Sequence, residues 1–295
     1  MGHPYYAVEI IDQIRRKKNY TEPPKVMDLG SQDFYCLTPE DKDATCQLIV
    51  DAGGDPAPFL EALGPDIPAQ CEARIVFTCL GYDYHCCDVD HREGTVYVDL
   101  NAMPAGNDHK NTFDIVLNSG TTEHIINTPY AFFYMHHIVK PGGFIYNYVP
   151  LFGFGNHGLV NHTPKFWHTL IWMNQYALIK GQVIPIDEDA IGMANVYQSH
   201  LSQFEGLEKV LGTSHMMMAI VEKTRDGVFI PPMDAIISPH DDGQVLGRLV
   251  AGGLRMFWLA GLLSDEEIWG AVNDFLNLNA KSYQFALDEI QTALS

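Results

Sequence analysis

A chain of 295 residues with 37 acidic and 18 basic side chains has a formal charge of −19, which repels phosphate backbones and anionic lipid and argues against nucleic acid and membrane surfaces as partners. A hydrophobic fraction of 46% beside 19% charged residues is that of a folded protein with a large core, which excludes wholesale disorder. No uninterrupted apolar stretch is long enough for a bilayer, and the first residues lack the basic-then-apolar layout of a signal peptide, so the expected setting is cytoplasmic.

In chain order, Ile10 to Lys18 reads as a helix with Ile10, Ile11 and Ile14 on one side and a basic run suited to its C-terminus. Pro23-Pro24 breaks the chain before Lys25-Val-Met-Asp-Leu-Gly30, a short apolar strand ending in an acid and then a glycine, which permits a tight turn and close ligand approach. Residues 37 to 72 mix acids, prolines and glycines with a helix near Thr45 to Asp51 and read as an insertion. They push the next acidic strand end well beyond the twenty or so residues of a simple dinucleotide fold.

Tyr82 to Asp88 supplies the second strand, ending at Asp88 or Asp90, where a carboxylate can take both hydroxyls of a ribose. Gly94 to Asn101 supplies a third, again ending in an acid, Asp99. Ile115 to Leu117 has the continuous apolar character of a strand covered on both faces, and it gives way abruptly to Asn118-Ser-Gly-Thr-Thr-Glu-His124. Taken singly, each of these acids suits a helix N-cap or a turn. Four successive strands ending in Asp28, Asp88, Asp99 and Asn118 instead place polar groups along one edge of a sheet, the carboxyl edge at which open α/β sheets bind ligands.

After Pro150, the segment from Phe152 to His168 interleaves glycines and aromatics with His157, His162 and His168, as suits a substrate-covering loop. Either His157 or His162 contacts substrate there, or these side chains tie the loop to the body. Their spacings of five and six residues, with no carboxylate between them, match no zinc pattern, so no metal is expected. Trp167 to Tyr176 reads as an amphipathic helix, Met216 to Glu222 and Val228 to Ile230 as late strands, and Val245 to Leu263 with Glu266 to Leu294 as two or three helices. Those last helices cap a pocket or form a homodimer face; the residues do not choose between the two. The six cysteines all lie in the first third of the chain, without metal-site spacing, and read as ordinary buried thiols.

These residues resemble the class I S-adenosylmethionine-dependent methyltransferases. Val26-Met-Asp-Leu-Gly30 is similar to their first motif, Asp88 to the acid ending strand two, and Val98-Asp-Leu-Asn101 to the segment beside the adenine. Phe113-Asp-Ile-Val116 followed by Glu123-His124-Ile125 is similar to their fourth motif, and Val139-Lys-Pro-Gly-Gly143 to the turn opening strand five. The resemblance covers roughly residues 25 to 165, with two departures: the insertion, and Ser31, Gln32 and Asp33 where a second glycine is usual.

The resemblance implies an α/β fold, a Rossmann-like sheet that is mostly parallel with an antiparallel last strand and flanked by helices. It spans residues 1–235, with an insertion after strand one, and is followed by a C-terminal helical extension over 236–295. It further implies S-adenosyl-L-methionine as cofactor, with Asp28 and Gly30 near the methionine part and Ser31 and Gln32 in the same turn. Asp88 would hold the ribose, Asp99 and Leu100 would border the adenine, and Asn118, Ser119 and Gly120 would line the methyl-transfer face.

Glu123, His124, His157 and His162 are the candidate catalytic residues. The implied reaction is methyl transfer to an oxygen, nitrogen or carbon of a small molecule, an in-line displacement in which alignment supplies much of the rate. A base is needed only where the acceptor carries a proton. The same cradle would serve intramolecular or non-methyl transfer, and a non-catalytic binding protein of this fold is the alternative from another class.

Overall fold

The computed structural model describes residues 2–90, 92–102, 109–154, 157–186, 214–233 and 243–278. Its contacts divide the chain into two units, Met1–Thr163 with Ala177–Thr224, and Pro164–Tyr176 with Arg225–Ser295. The second unit includes a helical segment from the middle of the chain.

The first unit opens with a short strand, β1 (Gly2–Pro4), and helix α1 (Tyr5–Lys18). Helix α1 starts five residues earlier than Ile10 and buries Ala7, Val8, Ile11 and Ile14. Next come β2 (Lys25–Leu29), β3 (Asp33–Cys36), α2 (Pro39–Asp51), α3 (Ala57–Leu63), β4 (Ala69–Glu72), α4 (Ala73–Cys79) and β5 (Asp83–Asp88). Then follow β6 (Thr95–Tyr97), β7 (Phe113–Ser119), α5 (Thr128–Ile138), β8 (Val139–Phe152), β9 (Ala177–Ile186) and β10 (Ser214–Glu222).

Seven of these strands form one sheet in the order β6-β5-β2-β7-β8-β10-β9. The first five run parallel, and β10 is antiparallel to both β8 and β9. The strand order reverses between β2 and β7, the topological switch point at which doubly wound sheets hold ligands. This is the Rossmann-like arrangement of the class I methyltransferase fold, with the antiparallel edge expected from the sequence. The strands at its centre are apolar because both faces are covered: Val26, Met27, Ile115, Val116, Phe144 and Val149 are all fully buried.

Two strand assignments change. Val228 to Ile230 is not a strand, and the antiparallel neighbour of β10 is β9, whose outward residues Leu178, Ile179 and Val183 are exposed. An exposed edge strand pairs on one side only and does not show the apolar run that marks a buried one. Strand β6 stops at Tyr97, so Asp99 lies in the turn beyond it rather than at its last residue.

The insertion is a closed excursion that belongs to the core. Strand β3 pairs antiparallel with β4, Asp33 opposite Glu72, and the Ala73 amide donates to the Gln32 carbonyl at 3.1 Å, so the chain leaves and rejoins at one place. Strand β1 pairs parallel with β3 and completes a three-stranded sheet. Phe34 and Phe59 meet edge to face at 5.7 Å, and both join the buried cluster that includes Val26, Ile115 and Tyr146. Helix α2 is started by a reciprocal cap in which Thr38 accepts from the Asp41 amide at 3.1 Å and Asp41 accepts from the Thr38 amide at 3.1 Å. All six cysteines are free, and burial pushes the thiols of Cys36 and Cys71 up to about 11 and about 12.

The second unit holds α6 (Pro164–Asn174), α7 (Gly243–Leu259) and a helix over residues 265–278. The Asn174 amide group donates to the Ile230 carbonyl at 2.9 Å and accepts from the Ile230 amide at 2.8 Å, pinning an extended segment to the end of α6. Trp172 packs edge-on against Phe275 and Phe229 against Phe257. The predicted helical stretch beyond residue 278, with the dimer face it would supply, lies outside the described residues. No helix among the described residues is long and apolar enough to cross a membrane.

Candidate functional site

The carboxyl ends of β2, β5 and β7 converge on a polar edge, and the chain builds it largely from its own backbone. Gly30 turns out of β2 with φ of +95°, a conformation that glycine alone adopts without strain, and its amide donates to the Cys87 carbonyl at 2.7 Å. The Gln32 side chain folds back over this turn, its amide donating to the Leu29 carbonyl at 3.1 Å and to the Thr121 hydroxyl at 3.0 Å. Thr121 in turn donates to Leu29, so the ends of β2 and β7 are laced together.

Asp88 closes β5. Its Oδ2 accepts from the Ser31 amide at 2.9 Å and its Oδ1 from the Val89 amide at 2.6 Å. The Ser31 hydroxyl also approaches Asp88 at 3.3 Å, but its single proton has a nearer acceptor in Asp90. The Asp90 amide also donates to Oδ1 at 3.3 Å, so three of a carboxylate's about four lone-pair directions are taken and Oδ2 keeps room for one further donor. Arg92 clamps the same turn, donating to the Ser31 carbonyl and to Asp33, each at 3.0 Å.

Beyond β6, Asp99 accepts from the Asn101 amide at 2.8 Å, while Leu100 is 5% exposed. The Asn101 side chain accepts from the amides of Ile126 and Asn127, tying this turn to the loop after β7. Asn118 is fully buried, donating to the Thr122 hydroxyl at 2.9 Å and to the Asn147 side-chain Oδ1 at 3.0 Å.

Two of the predicted residues are engaged by the N-terminal strand, which the sequence reading did not foresee. Asp28 is fully buried; its Oδ2 lies 2.6 Å from His3 Nε2 and accepts from the Tyr84 hydroxyl at 2.7 Å. Burial beside that carboxylate holds the Tyr84 phenol well above its ordinary range. The Ser119 hydroxyl donates to the Gly2 carbonyl at 3.1 Å. Gly2 and His3 thus seat against the middle of the polar edge. An isolated His at position three carries no sequence signal for this; only the pairing of β1 with β3 brings it there.

Past Gly120 the character changes. A 3₁₀ turn, Thr122–His124, carries Glu123 inward and His124 outward. Glu123 is fully buried, and neither carboxylate oxygen has a hydrogen-bond partner among the described residues. His157 Nε2 lies 3.6 Å from Glu123 Oε1, and His124 Nε2 lies 3.9 Å from the same oxygen. The backbone fixes this meeting: the Glu123 carbonyl accepts from the amides of Leu159 at 2.7 Å and Val160 at 3.0 Å, docking the loop on the turn. Gly158 is required by the approach, since a Cβ there would stand 2.8 Å from the Glu123 side chain. The two imidazoles meet edge-on at 5.0 Å, with Phe154 on His157 at 5.8 Å. Burial lowers the pKa of His124, favouring the neutral ring, against the opposing pull of Glu123.

His162 stands apart from this group. It is 2% exposed and packs edge-on against Phe132 at 5.4 Å, and burial pushes its pKa down to about 4. The structure therefore joins Glu123, His124 and His157, while His162 sits in the packed interior.

No protein-family model matches this chain, and no curated protein matches it. Among solved structures, it is similar to the MccD protein at 14% identity, over 75% of this chain and 100% of that one, with a TM-score of 0.42. It is similar to an S-adenosylmethionine-dependent methyltransferase from Archaeoglobus fulgidus at 13% identity, over 73% and 94% of the two chains, with a TM-score of 0.35. A third is 1,6-didemethyltoxoflavin-N1-methyltransferase from Burkholderia thailandensis, solved with S-adenosylhomocysteine, at 12% identity over 75% and 86%, with a TM-score of 0.36. The assignment of fold rests on the strand order and pairing of this chain itself.

Proposed function

We propose that this chain transfers the methyl group of S-adenosyl-L-methionine to a small molecule. The observation that carries the reading is the set of strand ends at the switch point of the β6-β5-β2-β7-β8-β10-β9 sheet, with Gly30 turning out of β2 at a positive φ and Asp88 held rigidly beside it. Solved methyltransferases of similar fold, one of them holding S-adenosylhomocysteine, agree with it.

In this reading Asp88 takes the ribose hydroxyls and the turn Gly30-Ser31-Gln32 passes beneath the cofactor. Asp99 and Leu100 border the adenine, and Asn118 to Gly120 form the floor under the sulfonium. Asp28 acts beneath that floor by holding His3 and Tyr84. Acidic side chains along this edge favour a cationic cofactor, and the fixed amides around Asp88 orient it before binding, so little reorganisation is needed. The acceptor end is Glu123, His124 and His157, where a buried carboxylate beside two imidazoles can receive a proton that an oxygen or nitrogen acceptor releases. His162 supports the loop from within. Partners are small molecules, and the compartment is cytoplasmic.

Calorimetric titration with S-adenosylmethionine and S-adenosylhomocysteine tests the reading. Micromolar binding of either, weakened in Asp88→Asn, is the expected result; no binding of both would overturn it.

A further inference from the structure

We infer that Glu123, His124 and His157 form a binding site for a divalent transition-metal ion of the zinc class, with coordination positions left open. The inference concerns ion binding and does not depend on the methyl-transfer reading.

The first ground is electrostatic. Glu123 is fully buried with both oxygens unpartnered among the described residues, and a buried ionised carboxylate is costly unless it is paired or coordinates a metal. The imidazole nitrogens, at 3.6 and 3.9 Å, stand too far away to satisfy it as hydrogen-bond donors.

The second ground is geometric. One donor atom from each of the three side chains lies within 4.8 Å of the others. Metal bonds of about 2.0–2.1 Å at tetrahedral angles set neighbouring ligand atoms about 3.3 Å apart, so modest rotation of the side chains closes the shell. The frame that must hold still already does. Leu159 and Val160 donate to the Glu123 carbonyl, the His124 amide donates to Thr121 at 3.0 Å, and Phe154 bears on the His157 ring.

The donor set selects the ion. Two imidazoles and one carboxylate suit zinc, cobalt, nickel or ferrous iron, whereas calcium and magnesium prefer all-oxygen shells. Three protein ligands leave room for water or substrate, the pattern of catalytic rather than structural zinc. The His124 side chain is 44% exposed, so that opening reaches solvent. Where the methyl-transfer reading holds, an acceptor oxygen or nitrogen would take the open position beside Gly120.

The sequence argued against a metal because it compared only His157, His162 and His168, which have no carboxylate among them. The fold removes His162 and supplies Glu123 and His124 from a turn more than thirty residues upstream.

The test uses untagged full-length protein, stripped with chelator and then titrated with Zn²⁺ and with Co²⁺. The expected result is one zinc per chain retained through gel filtration and measured by elemental analysis, with Co²⁺ giving the intense visible absorption of a low-coordinate nitrogen and oxygen site. Glu123→Gln and His157→Ala should each lower zinc affinity by more than about a hundredfold, above the ten- to hundredfold that loss of an outer partner costs. His168→Ala, in the other unit, should leave it unchanged.

Absence of a retained ion and of the cobalt spectrum in the wild type would overturn the inference, as would an ion held equally well by all three site variants. Circular dichroism checks folding. If Glu123→Gln and His157→Ala do not fold, His124→Ala at its exposed position decides alone, and unchanged zinc affinity there overturns the site. Titration of the same samples with S-adenosylhomocysteine separates the two readings: zinc without cofactor binding removes the methyl-transfer proposal only, and cofactor without zinc removes this one only.

Discussion

The two halves of the polar edge are built on opposite principles. Around the ends of β2, β5 and β7 the polar side chains that the sequence marked for the cofactor are engaged within the chain: Asp88 by three amides, Asp28 by His3 and Tyr84, Asn118 by Thr122 and Asn147. Past Gly120, Glu123 is buried as deeply as Asp28 yet has no hydrogen-bond partner among the described residues, and two imidazoles stand just out of reach. Burial alone is therefore not informative; what distinguishes the regions is whether desolvation is offset from within. A partnered carboxylate shapes the fold, and an unpartnered one marks where something else must arrive.

The sharpest way to break this contrast is at Glu123. Glu123→Gln should leave S-adenosylhomocysteine affinity within about twofold while methyl transfer to an identified acceptor with an exchangeable proton falls by about 10²- to 10⁴-fold, the range for loss of a proton-transfer group. Equal losses in binding and turnover would erase the division. On the partnered side, Asp28→Ala should act on stability, since it leaves the buried His3 ring nitrogen and the Tyr84 hydroxyl without their partner at about 1–3 kcal/mol each; urea unfolding measures it. A variant as stable as the wild type would mean that His3 and Tyr84 do not depend on that carboxylate.

His162 gives a pH-dependent check that the loop is anchored by packing. Its pKa, pushed down to about 4 from 6.5, means the unfolded chain binds the extra proton between those values. Stability is therefore complete above about pH 6.5 and declines as pH falls towards 4, by about 3 kcal/mol in all from this residue. Comparing wild type with His162→Phe at pH 7 and at pH 4.5 isolates that contribution, and parallel losses in both proteins would assign it elsewhere. The smallest effect is at Asp88. Asp88→Asn keeps the turn's acceptor oxygen and weakens hydrogen bonds to ribose hydroxyls, for a loss of about 1.5–3 kcal/mol in cofactor binding by calorimetry.

The strand ends were legible because their signals are local. Lys25 to Gly30, Asp83 to Asp88 and Phe113 to Ser119 each carry an apolar run and its polar end within a few residues, and burial on both faces of a parallel sheet demands that pattern. Strand β9 escaped because an exposed edge strand has no such requirement, and the apolar segment Val228 to Ile230, which has the pattern, buries Phe229 and Ile230 without joining the sheet. The insertion showed its ends by composition, but its pairing through β3 and β4 depends on residues nearly forty positions apart.

From the sequence alone came the sheet, its polar edge, and the candidates Asp88 and Glu123, since backbone geometry and side-chain period constrain those residue by residue. Tertiary structure alone decided which of them meet. It set His3 on Asp28, buried His162 against Phe132, and brought His157 from a distant loop onto Glu123. Spacing along a chain does not encode separation in space once a loop folds back, and the contacts that close such a loop are paid for by backbone amides, here those of Leu159 and Val160, which every sequence possesses.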